Sequence, residues 1–264
     1  MNLNKLFLNR YYNVSENIFN KIFDSTNFNF SLSKLSTFKD LSEGVSKLTF
    51  KEKEAFLDHL NFPDRVIKDS GVLESNSHIR KHIYSSLYGL SDIEIGNIES
   101  HINNLENYFA SCWFSSKGSS TESRYMWNIY AKTICQEYKP DPKKTETIAF
   151  KISCNEDELK ETLLRIDRNL NFNKVKYRKR LHSNRDPYFI KDISYKHENE
   201  FRILKYDSSN NQDRISIKIP IETISEIIFD NPSHIKLIDK ISHLKNVCKR
   251  QSLKEGELRT FLNM

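Results

Sequence analysis

Glycine is scarce, with six residues in the whole chain, and that scarcity excludes a good deal of nucleotide chemistry. There is no Walker lysine loop, no dinucleotide glycine fingerprint and no Gly-x-Ser-x-Gly elbow, so any phosphate must be held by something other than a glycine-rich turn. The four cysteines, Cys112, Cys135, Cys154 and Cys248, fall in no CxxC or Cys/His ligand spacing. Neither a zinc site nor a disulfide framework is implied, and reduced thiols in a cytoplasmic protein are expected. His59, His78, Arg80, Lys81 and His82 lack carboxylates at ligand spacing, so no metal is expected. The opening stretch from Met1 to Tyr12 is short in apolar residues and interrupted by Asn, which excludes a signal peptide or membrane helix there and leaves no membrane partner expected.

What is present is a globular composition: 38% hydrophobic, 12% aromatic and 29% charged residues. A chain of 264 residues buries a sizeable core, and we read residues 1–264 as one domain. The formal charge of +6 permits attraction to acidic partners without requiring one.

Hydrophobic periodicity lays out the elements. Leu6 to Tyr12 reads as a strand, Ser15 caps a helix through about Phe23, and Asn27 to Ser33 alternates so that Phe28, Phe30 and Leu32 share one face while Ser31 and Ser33 share the other. Residues 49–107 are helical in pattern, broken at Pro63, Gly71 and Gly89, and read as a helical insertion. Asn107 to Ser116 is a strand, and Glu122 to Ala131 an aromatic helix carrying Met126, Trp127 and Tyr130. Such a stripe is usually core and sometimes lines a pocket. Thr145 to Ser153 is a strand, a helix follows through Ile166, and Asn173 to Arg180 is a strand running into a basic turn. Arg214 to Pro220 and Ile221 to Ile228 are strands, and Ser233 to Lys249 reads as a helix. The total is α+β, with a split, mainly antiparallel sheet. The Lys174 to Arg185 run is the strongest nucleic-acid candidate, but with one interleaved tyrosine it reads first as a solvated face or phosphate-steering rim.

Chemistry concentrates in Lys191 to Leu204. In an extended chain, Glu198, Glu200 and Arg202 fall on one face, each roughly 6.5–7 Å from the next, while Phe201 and Ile203 face the core. Carboxylates accept hydroxyl protons and a guanidinium grips phosphate, so this face suits a sugar phosphate. The same pattern also fits the polar face of an edge strand.

Four segments then fall in a familiar order: Arg10-Tyr11-Tyr12, Thr37-Phe38-Lys39-Asp40, Trp113-Phe114-Ser115 with Met126-Trp127-Asn128-Ile129-Tyr130-Ala131, and Lys191 through Tyr195, Glu198, Glu200 and Arg202. Together they resemble the bacterial family catalogued as domain of unknown function 2971. Tyr12, Lys39, Leu41 and Tyr195 stand where that family often has Arg, Asn, Pro and Trp. The layout is in turn similar to the ADP-ribosyltransferase superfamily. The resemblance implies NAD as substrate, with Glu200 as the catalytic carboxylate and Glu198 orienting the acceptor. It places Arg10 on the pyrophosphate or adenosine ribose and Ser115 beside the nicotinamide, with Tyr11, Ser31, Trp127, Tyr130 and Arg202 completing the pocket. The chain would then be a toxin or phage-defence effector modifying a macromolecule, protein or nucleic acid. The alternative is a non-catalytic module on the same scaffold that senses a nucleotide or contacts nucleic acid.

Overall fold

The computed structural model describes residues 5–24, 26–38, 52, 88–118, 121–127, 147–178, 187–209, 211–230 and 248–251. Strand β1 (Leu6–Ser15) runs into helix α1 (Glu16–Ile22) and returns as β2 (Asn27–Lys34). Helix α2 (Asp92–Asn107) leads into β3 (Tyr108–Lys117), and β4 (Thr147–Asn155) into α3 (Glu156–Ile166). There follow β5 (Asn171–Lys174), β6 (Lys176–Arg178), β7 (Ile190–Asp192), β8 (Glu200–Tyr206), β9 (Arg214–Pro220), β10 (Ile224–Phe229) and β11 (Cys248–Gln251). The architecture is α+β with a mainly antiparallel sheet. Only β10 with β11 and β6 with β7 pair in parallel among the described residues.

Local chemistry accounts for the helix starts. Ser91 and Glu94 form a reciprocal capping box at the start of α2, and the Asn155 carboxamide oxygen accepts from the Asp157 and Glu158 backbone N–H groups at the start of α3, in each case satisfying donors that have no partner within the helix. Of the insertion read over residues 49–107, α2 is a helix as expected, while most of the rest lies outside the described residues. The C-terminal helix read over Ser233 to Lys249 needs correction at its end: Cys248–Gln251 is a strand extending the sheet beside β10.

Alternation decides which faces are buried. Phe28, Phe30 and Leu32 of β2, Phe109 and Trp113 of β3, Phe150 of β4, and Phe201 and Ile203 of β8 pack with Phe19 of α1 and with Leu159 and Leu163 of α3 into one core. Phe150 stacks on Tyr12 with ring centroids 4.8 Å apart and meets Phe19 edge-on at 5.1 Å. On the opposite face, α2 covers Ala110 and Leu204. Separately, Met126 and Trp127 cover Tyr11, Ala149 and Ile228. No helix among the described residues is long and apolar enough to cross a membrane.

The sheet divides at β3. One edge of β3 pairs with β8 from Tyr108 to Phe114. The other edge is shared: Phe109 and Ala110 pair with β2, and Phe114 to Lys117 pair with β1. Between those two pairings β1 and β2 diverge, each leading its own set of neighbours, β4, β10 and β11 on one side and β9 on the other. A ladder that forks leaves backbone groups to be satisfied by side chains. Arg10 does this, donating from Nη1 to the Ser31 carbonyl at 2.9 Å and to Ser111 Oγ at 2.6 Å. Deeper in the fork, buried Asn9 donates to Ser116 Oγ and accepts from Ser153 Oγ, both at 2.7 Å, fastening β1 to β3 and β4.

Candidate active site in the sheet fork

The fork opens into a cleft of about 530 Å³ lined by residues of both branches, a size usual for small-molecule sites. Ile18 and Ile22 of α1 lie on its wall, because α1 joins the diverging ends of β1 and β2. Two of the lining residues are arginines. Arg10 comes from β1, and Arg214 from the first position of β9, where the register sets it beside Ser33. The Arg10 guanidinium lies 5.4 Å from the Tyr12 ring centre and 5.9 Å from that of Trp113, a position that fixes a cation against aromatic faces. The lining also includes Lys191, Tyr195, Glu198 and Glu200, and Cys112 of β3.

Glu198 and Glu200 converge by a route the strand reading did not foresee. Residues Ile193–Glu198 form a 3-10 turn capped by Asn199 in the left-handed region, φ 40° and ψ 50°; Asn is one of the few residues that adopts this readily. The Asn199 carbonyl accepts from Ser115 N at 3.0 Å, and its amide donates to the Ser115 carbonyl, so the turn is pinned to β3. The chain therefore reverses before β8 begins. Glu198 lies at the end of the turn rather than in the row of Glu200 and Arg202. Lys191, preceding the turn on β7, inserts its ammonium between the two carboxylates, 2.8 Å from Glu198 Oε2 and 2.9 Å from Glu200 Oε2.

Glu200 is also held from the other side. Arg202 Nε donates to Glu200 Oε1 at 2.8 Å, and Arg202 Nη1 donates to the Tyr188 carbonyl. Arg202 is wholly buried, so the polar row expected on a solvated face is an interior ion network. The Tyr177 hydroxyl, on β6, accepts from Glu200 N at 2.7 Å. Burial pushes the Tyr177 phenol up to about 12, so it remains protonated. Burial by itself would raise the Glu200 carboxyl, but the Arg202 and Lys191 charges outweigh it, with the Cys112 thiol assisting, and hold it at about 2. A cation pair thus keeps this carboxylate ionised in a dry setting.

The sign of the resulting pH dependence is fixed. A carboxyl lowered from 4.5 to about 2 on folding contributes stability present above pH 4.5 and lost as pH falls through the folded value. The share is about 3 kcal/mol. Urea titrations at pH 5 and pH 3 are expected to show this loss in the wild type and a smaller one in Glu200→Gln. Equal losses in both would show that Glu200 does not carry it.

Of the residues singled out from sequence, Arg10, Tyr11, Ser31, Glu198 and Glu200 line the cleft. Ser115 does not: it is buried, and its backbone serves the Asn199 turn. Trp127 lies behind the wall, edge-on to Tyr11 at 5.1 Å, with its indole donating to Glu122. Arg202 supports Glu200 from the interior. Tyr130 lies outside the described residues. Reasoning from sequence missed Arg214, Cys112 and Tyr177. Only Arg214 left a trace, as the first polar position of an alternating strand; which strand would face it was not written in the pattern. Comparison of the chain with family models, with curated proteins and with solved structures found no match.

Proposed function

We propose that the fork binds NAD and that the chain is an ADP-ribosyltransferase-like enzyme of the kind represented by the domain of unknown function 2971 family, acting as a toxin or phage-defence effector on a macromolecule. The observation that carries this reading is the make-up of one cleft: Arg10 and Arg214, aromatic rings of Tyr11, Tyr12 and Trp113, and the two carboxylates Glu198 and Glu200 held by Lys191 all line it. A dinucleotide matches it, since a diphosphate suits guanidinium donors, flat rings suit aromatic side chains, and ribose hydroxyls suit carboxylate acceptors.

Chemically, breaking the bond between nicotinamide and ribose sends the electron pair to the departing nitrogen and leaves positive charge on the sugar. Glu200, ionised and unable to reorient between Lys191 and Arg202, is a preorganised anion for that charge. Glu198 would orient the acceptor and take the proton it gives up as it attacks the anomeric carbon. Arg10 would grip the pyrophosphate. Ser115 has no place at the nicotinamide in this scheme, and Cys112 and Asn9 take the nearby wall. A second reading, a nucleotide-sensing module, draws on the same network: a carboxylate neutralised by two cations suits binding as well as turnover.

Incubation of the protein with NAD, in the presence of lysate, nucleic acid or free amino acids, is expected to release nicotinamide. NAD should also raise the melting temperature, because a ligand at 100 times its Kd stabilises by about 2.7 kcal/mol. Arg10→Ala is expected to weaken NAD binding roughly 10- to 100-fold, as loss of charge-assisted hydrogen bonds implies. Neither a thermal shift nor nicotinamide release at millimolar NAD would sink the enzyme reading.

A further inference from the structure

Around the carboxylate end of the cleft runs a rim that the NAD reading leaves unused. Lys174 ends β5, Lys176 and Arg178 flank Tyr177 on β6, and Lys196 and His197 lie on the 3-10 turn before Glu198; all five are exposed. None of the four Lys and Arg side chains makes an ion pair among the described residues, although Arg165, Lys160, Lys205 and Lys218 elsewhere do. Asp192 stands opposite Arg178 in the β6–β7 register and is an ionised carboxylate, its Oδ1 accepting from Ser194 N at 2.9 Å and Ser194 Oγ at 2.7 Å, so it offsets one of these charges. Four cations against one carboxylate leave the rim with an excess of positive charge among the described residues.

The rim is also built onto the site. Tyr177, between the β6 cations, is bonded through its hydroxyl to the backbone of Glu200. Tyr125, 38% exposed, meets the His197 ring at 3.8 Å between centroids, presenting an aromatic surface beside Lys196. Lys176 and Arg178, two positions apart on β6, follow one another at roughly 6.5–7 Å, a spacing that suits successive phosphates better than a single anion.

We propose that this rim binds single-stranded nucleic acid, with Lys174, Lys176, Arg178 and Lys196 on the phosphates and the Tyr125–His197 pair stacking on a base. Cations tracking a backbone beside aromatic platforms are the recognition chemistry of unpaired strands. A duplex keeps its bases stacked and offers none to the rings. The rim binds a strand whether or not NAD is turned over; where NAD is turned over, the bound strand is the acceptor.

The test is fluorescence anisotropy of the full chain, without NAD, using a labelled mixed-sequence single-stranded DNA of about 20 nucleotides at several salt concentrations. The K174A/K176A/R178A variant is expected to bind at least ~10-fold more weakly, with a slope of log affinity against log salt shallower by about 2, three contacts at ~0.7 each. A control variant, K5A/K21A/R168A, removes three exposed cations that belong to neither β5, β6 nor the 3-10 turn and should keep wild-type binding and slope. Both variants should melt as the wild type does. Absence of binding at low salt, an equal loss in the control, or binding to phosphatidylserine vesicles with none to the oligonucleotide would each overturn the proposal. Because NAD is absent throughout, such a failure leaves the turnover reading to its own test.

Discussion

Nicotinamide release from NAD is expected to fall by roughly 10²- to 10³-fold in Glu200→Gln, the scale on which removal of one preorganised transition-state group is felt. The amide keeps the shape of the carboxylate and one oxygen for Arg202 Nε, so NAD should still bind within a few-fold of wild type. The fold will not be untouched, however. The lost charge leaves Arg202 buried opposite a neutral partner and Lys191 paired with Glu198 alone, so a melting temperature several degrees lower should accompany the loss of turnover. Assays therefore belong well below that temperature, with binding followed by the NAD-dependent thermal shift. Turnover retained within about threefold would transfer the site to the sensing reading, since a transition-state group cannot be removed at so small an effect.

Arg202→Met should cost more stability than either Glu200→Gln or Arg10→Ala. The side chain is fully buried and bridges Glu200 Oε1 to the Tyr188 carbonyl. Its removal strips a buried carboxylate of one counter-charge and a buried carbonyl of its donor, and breaking such a pair costs about 3–5 kcal/mol. For a chain of this size the melting temperature would drop by roughly 6–20 °C. Glu200→Met with Arg202→Met should recover much of that loss, because both charges then leave together and similar volume returns. A double variant no more stable than the single one would mean that Arg202 acts mainly through the Tyr188 loop.

Much of the scaffold was legible in the sequence because the deciding physics is local. Strict alternation in Asn27 to Ser33 and in Arg214 to Pro220 could only serve strands with one buried face, and helical periodicity after Ser153 marked α3. The α+β reading followed from those elements. The site was legible in composition and obscured in geometry. Lys191, Glu198, Glu200 and Arg202 were visible as a cluster, yet period-two reasoning runs on only while backbone conformation stays extended. One left-handed Asn199 resets the phase and turns a supposed row into two carboxylates closing on Lys191. Ser115 and Trp127 were misplaced for a related reason. They sit in the right segments, but which way a residue points beside a fork depends on where two other strands let go of β3, and no local signal encodes that.

The shared edge of β3 also governs the order of events during synthesis. Strand β1 is made before either of its partners, Phe114 to Lys117 and then Thr147 to Asn155. About 100 residues separate the end of β1 from its first partner, so at 5–20 residues per second the strand waits about 5–20 s beside the ribosome with both edges open. An unpaired strand containing Leu6, Phe7 and Leu8 is a template for pairing with other nascent chains. Asn9 and Arg10, which later fasten the fork, break that apolar run during the wait and so act as gatekeepers before they act as braces.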